Sequence, residues 1–74
     1  MNEHKRAAEN LPRNEALLLM ALYDKPQTFD EIRGAGFTQP TLDALWTAEL
    51  VTINSKDRYY PTGRGLEVRR YLHN

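Results

Sequence analysis

The residues able to do covalent or metal chemistry are few and far apart in this 74-residue chain. His4 and His73 stand at opposite ends with no ligand spacing between them. A metal site needs His, Cys or carboxylate groups that converge on one point, so no metal is expected. There is no cysteine, which removes thiolate ligands and disulfides together. Ser55, the only serine, lies in a turn-forming stretch without a neighbouring histidine, and no nucleophile–base pair can be drawn. Gly34-Ala35-Gly36 is too short for a phosphate cradle and follows a helical pattern rather than a strand. Asp30 and Glu31 are adjacent, so they point to different sides, and a capping role explains Glu31. The chain therefore offers no catalytic residue and no cofactor site, and is read as a non-enzyme.

What remains is binding chemistry. The formal net charge is zero, but the layout is uneven. Residues 14–50 carry six acidic and two basic groups, whereas residues 51–74 carry five basic groups (Lys56, Arg58, Arg64, Arg69, Arg70) and two acidic ones. Any positive steering potential comes from the last third. Lys56 and Arg58 flank a polar turn and suit phosphate contact, or serve as solubilising charges on an edge strand. The longest apolar run, Ala16 to Tyr23, is far below a membrane span. No secretory leader pattern opens the chain, so a cytoplasmic protein is expected.

The elements that position these groups can be read in order. Residues 1–9 are polar and weakly patterned and read as a flexible arm, ahead of one domain over 10–74. Asn10 is expected to cap a first helix over Pro12–Asp24, with proline in its first turn. Its run from Ala16 to Tyr23 is apolar on every face, more than one interface can bury. The surplus predicts cover by the arm or by a second copy of the chain, with Leu17, Met20 and Tyr71 as candidate homodimer contacts. Lys25-Pro26 ends that helix. Thr28 and Glu31 form a capping-box pattern for a short second helix, which Gly34-Ala35-Gly36 stops. Thr38 caps a third helix in which Leu42, Leu45 and Trp46 recur at spacings of three and four, predicting one buried stripe. On that reading Trp46 belongs to the core; exposed, it would anchor a protein interface. Residues 51–54 and 58–61 are β-branched and aromatic around the turn Ser55-Lys56-Asp57, predicting a hairpin in which Tyr59 and Tyr60 are a cross-strand core pair or phosphate contacts. Thr62 caps a last helix to about Leu72. Three helices, a hairpin and a final helix bury their stripes as an α+β domain.

Three segments together carry a family resemblance. Residues 26–32 (PQTFDEI), 42–51 (LDALWTAELV) and 59–65 (YYPTGRG) resemble the second helix, the recognition helix entering the wing, and the second wing strand entering the final helix of winged helix-turn-helix DNA-binding domains of MarR and PadR type. The likeness spans about residues 14–72. It implies a three-helix core, a two-stranded wing and a C-terminal helix. It also implies a DNA-binding regulator of transcription, with the third helix in the major groove and the wing on the backbone of double-stranded DNA. Carried over residue by residue, Gln39, Thr41, Asp43, Ala44 and Thr47 would face bases, and Lys56 and Arg58 would contact phosphate, with Arg64 joining the basic face. Gln39 can read adenine through two hydrogen bonds, threonines can meet phosphate or a thymine methyl, and Asp43 can only accept from cytosine N4. The bland alternative makes these side chains the solvated side of a capped helix. A fold does not fix function. A protein-interaction module on the same scaffold, with little or no DNA binding, is therefore the rival reading, favoured by the acidic middle of the chain and by Trp46.

Overall fold

The computed structural model describes residues 2–72. Its elements are α1 (Glu3–Asn10), α2 (Arg13–Asp24), β1 (Gln27–Thr28), α3 (Phe29–Gly34), α4 (Gln39–Thr47), β2 (Val51–Ile53), β3 (Arg58–Pro61) and α5 (Gly63–Arg69). The class is α+β, five helices with a three-stranded antiparallel sheet in the order β1-β3-β2. Among the described residues no helix is long and apolar enough to cross a membrane.

The core lies between α2, α4, α5 and the start of the sheet. Leu18, Leu19, Leu22, Ile32, Leu45, Leu50 and Val68 are fully buried. Phe29, Phe37, Tyr59 and Leu72 pack against them from the edge. On α2 the buried positions 18, 19 and 22 fall on one side. Leu17 is turned outward and is 44% exposed, so the apolar run does present the surplus surface that its composition predicts.

Three local features differ from the sequence reading. The stretch expected as a loose arm forms α1, whose N-terminus is capped by Asn2: its side-chain oxygen accepts from the His4 and Lys5 amides. Ala8 is buried, α1 lies against α5, and the Asn2 amide donates to the Tyr71 hydroxyl. A weak hydrophobic pattern suffices here because Ala8, with Ala7 and Leu11 partly buried beside it, makes the contact without a full stripe. Asn10 closes α1 rather than capping α2, whose cap position is Pro12. And the hairpin is not two-stranded alone: Gln27 and Thr28 pair with Tyr59 and Arg58, adding β1 to the outer side of β3. Two residues are too few to show an alternating pattern, so only the pairing reveals that strand.

The capping box at Thr28 is complete. The Thr28 hydroxyl accepts from the Glu31 amide at 3.2 Å, and the Glu31 carboxylate accepts from the Thr28 amide at 2.8 Å. The same carboxylate pairs with Arg58 at 2.9 Å, tying α3 to the hairpin. Glu31 is held below the ordinary glutamate range, first by the Thr28 backbone hydrogen bond and then, against some desolvation, by the charge of Arg58. A carboxyl whose folded pKa is lowered contributes stability that is present above its unfolded value and fades as pH falls through the folded one. Glu31→Gln is therefore expected to be less stable than the parent at neutral pH, with the gap closing under acid. Urea midpoints measured across that range check this; a gap constant with pH would contradict it.

Two helices end alike. After α3, the Phe37 amide donates to the Ile32 carbonyl and the Gly36 amide to the Arg33 carbonyl, with Gly36 at φ +97°. After α4, the Leu50 amide donates to the Leu45 carbonyl and the Glu49 amide to the Trp46 carbonyl, with Glu49 at φ +62°. Both are Schellman ends, and the second places a glutamate where the backbone favours glycine. Glu49→Gly relieves that left-handed strain against a larger loss of chain entropy, for an expected gain of about 0.5 kcal/mol. A raised urea midpoint with unchanged slope would show it.

Candidate recognition surface

Helix α4 is preceded by Thr38, whose hydroxyl does not cap the helix but meets the Thr41 hydroxyl at 3.0 Å. Thr41 in turn accepts from the Asn14 side-chain amide of α2 at 2.7 Å and is only 4% exposed. The helix is thus rotated so that Thr41, Leu42 and Leu45 face the core. Thr41, expected to face outward, is withdrawn from any ligand. Its small side chain lets α4 lie close to α2, and its hydroxyl is satisfied there.

The same rotation moves Trp46 out of the core. It is 48% exposed and meets Tyr59 of β3 edge to face, ring centroids 6.2 Å apart at 80°. The sequence reading that made it a core residue is corrected. In a domain this small the α2–α4 contact is filled by leucines, and the indole lands on the rim, across from the hairpin. Tyr59 stands opposite Ile53, and Tyr60 opposite Thr52, so the two tyrosines are not a cross-strand pair and point to opposite faces.

The hairpin itself is tight. The Asp57 amide donates to the Asn54 carbonyl, and Asp57 has φ +59°. The Asn54 side chain accepts from the Lys56 and Arg58 amides at 2.8 and 3.1 Å. That combination of a turn with a left-handed closing residue is a common three-residue hairpin loop. It projects Lys56 into solvent.

Two shallow hollows share Tyr59. One is lined also by Leu42, Asp43 and Trp46. The other runs between Thr28, Phe29 and Asp30 at the β1–α3 junction, Ile53 on β2, and Lys56 and Asp57 in the turn. The sequence reading missed this centre. Its one available signal was the hairpin register, which puts Ile53 and Tyr59 on the same face.

Of the remaining anticipated contacts, Gln39, Asp43 and Thr47 are exposed on α4, as is Lys56 on the turn. Arg58 is engaged by Glu31, and Arg64 reaches the Glu3 carboxylate of α1 at 3.2 Å. Both pairs are largely exposed and weak, but each places a carboxylate beside the cation. The hollows therefore hold Asp30, Asp43 and Asp57 against one cation, Lys56, and no ion pair among the described residues involves those three aspartates. Leu17 and Met20 stand a turn apart on α2, with Met20 half-buried. Tyr71 is 37% exposed beside Asn2 of α1. His73, one of the two histidines, lies outside the described residues. No family model, curated protein or solved structure matches this chain.

Proposed function

We propose that this chain is a non-enzymatic winged-helix domain that works by binding another protein through the face between α4 and the hairpin. In support of the winged-helix part, α2-β1-α3-α4-β2-β3-α5 runs in the order of that scaffold, with α3 and α4 as the helix-turn-helix and β2–β3 as the wing. One observation carries the functional part: a half-exposed tryptophan, edge-on to a tyrosine, in a surface whose lining charge is acidic. Tryptophan in such a setting is the residue type that concentrates binding energy between proteins. Affinity for a phosphate backbone comes largely from lysine and arginine. Helix α4 contributes none, and the hairpin arginine already faces a carboxylate.

Double-stranded DNA is the second reading, favoured by the exposed Gln39, Thr47 and Lys56 on that face. Under it the chain is a regulator of transcription, with Leu17 and Met20 available for pairing two copies. A mobility-shift titration with mixed-sequence duplex at low salt separates the two. The protein-binding reading expects no retarded band at any protein concentration. A complex that dissolves as salt rises, and that is lost in Lys56→Ala with Arg58→Ala, would replace it with the DNA reading. The positive arm compares partners co-purified from source cells by the parent and by Trp46→Ala: a partner kept by the first and lost by the second supports the proposal.

A further inference from the structure

We propose that the two hollows meeting at Tyr59 dock an arginine-bearing apolar segment of a partner protein, its guanidinium lying on Trp46 against Asp43. The inference rests on the protein-binding reading and names the partner's chemistry. Asp43 and Trp46 are three residues apart on α4 and line the same hollow, which puts a carboxylate and an indole on one helix face. That pair is what a guanidinium takes: a π-face to stack on and an acid to bond. Lysine's compact ammonium matches the first requirement less well.

Two of the chain's other aromatics take a guanidinium in this way. The Arg69 guanidinium lies 3.8 Å from the Tyr23 ring centroid, and that of Arg33 lies 5.6 Å from Phe29. Trp46 is the large exposed aromatic of this face, and no described cation stacks on it. Beyond Tyr59, the second hollow is lined by the apolar Phe29 and Ile53 and by two carboxylates, Asp30 and Asp57, with one cation, Lys56. An apolar side chain beside the arginine fits the former, and a second cation fits the carboxylates.

Charge selects among occupants. A phosphate backbone or an acidic peptide would bring like charge to Asp30, Asp43 and Asp57. A second copy offers fewer donors, because Arg58, Arg64 and Arg70 already face Glu31, Glu3 and Glu67, and Arg33 and Arg69 stack on Phe29 and Tyr23, although Arg13 at the start of α2 is exposed. A separate protein, free to present arginine beside apolar side chains, is the better-matched occupant.

Trp46 is the only tryptophan, so its emission reports directly on the site. The full chain is titrated with a short synthetic peptide alternating arginine and leucine. Parallel titrations use the same peptide with glutamate for arginine, the same peptide with serine for leucine, and a mixed-sequence DNA duplex. The arginine–leucine peptide is expected to give a saturable emission shift, with both control peptides at least about ten-fold weaker. Asp43→Lys should weaken the first by about ten-fold with an unchanged circular dichroism spectrum. No saturable shift overturns the proposal, as does an Asp43→Lys variant that binds normally. Equal binding of the glutamate peptide overturns the arginine assignment while leaving a protein-binding surface. A shift produced by duplex alone overturns both. A shift that follows protein concentration without peptide assigns the site to a second copy and overturns the choice of partner.

Discussion

Gly65→Ala is expected to destabilise the domain by about 3 kcal/mol or more, enough to lower the melting temperature by roughly 12–24 °C. The reason is a close approach between α5 and the chain leaving α4. A methyl group on Gly65 would sit 2.0 Å from the Leu50 carbonyl oxygen, 3.0 Å from its carbon and 3.2 Å from the Pro61 side chain. Backbone cannot swing aside as a flexible side-chain tip can, so α5 would have to move. It is anchored at that spot. The Thr62 amide donates to the Leu50 carbonyl at 3.0 Å, the Thr62 hydroxyl donates to the Glu49 carbonyl at 2.7 Å, and the Gly65 amide donates to the Thr62 hydroxyl at 3.0 Å. Shifting α5 strains the two bonds from Thr62 to Leu50 and Glu49 and pulls the fully buried Val68 from the core. A domain of this size has only about 4–11 kcal/mol of stability to lose. Gly63→Ala is the internal control, since nothing lies within 4 Å of a methyl group there. It should be neutral or slightly stabilising, by about 0.5 kcal/mol. Equal thermal melts for the two variants would disprove the close approach.

The second large effect is a contrast between neighbours on α4. Leu45→Ala should cost about 2–5 kcal/mol, because Leu45 is 0% exposed and its loss leaves a void in the core. Trp46→Ala removes a much larger side chain, yet should cost only about 1 kcal/mol, mostly the edge contact with Tyr59. Partner binding should order them oppositely. Loss of Trp46 is expected to weaken association by about 2 kcal/mol, near thirty-fold, whereas a folded Leu45 variant should bind almost normally. Urea midpoints and partner titrations on both proteins decide it. If Trp46→Ala unfolds as readily as Leu45→Ala, the indole is part of the core and the surface described between α4 and the hairpin does not exist.

Much of the scaffold was legible in residue types. Thr28 with Glu31 announced α3, Gly34-Ala35-Gly36 announced its end, Lys25-Pro26 closed α2, and Thr62 opened α5. Each of these is a local hydrogen-bonding or steric preference that acts over three or four residues, so no distant part of the chain is needed to enforce it. Glu49 shows the limit of such rules: tertiary contacts from Leu50 and Thr62 hold a left-handed glutamate in a place that local preference assigns to glycine.

The candidate surface was less legible, and the rotation of one helix explains why. Successive residues on a helix are separated by about 100°, so a core stripe of Leu42 and Leu45 can be widened toward Thr41 or toward Trp46 with equal regularity. Hydrophobicity favours Trp46. The structure takes Thr41: Asn14 of α2 satisfies its hydroxyl and it is buried there, while the indole lies half-exposed. Likewise, the sequence contains the cations Arg58 and Arg64 but says nothing of Glu31 and Glu3 standing beside them, since those partners are 27 and 61 residues away. Composition, capping and turn chemistry are properties of neighbours in the chain, and they determined that α2, α3, α4, α5 and the hairpin form, but not α1 or the end of α4 at Glu49. Which side of α4 meets solvent, which charges remain unpaired and where β1 joins the sheet depend on packing between remote segments, and only the folded chain decides them.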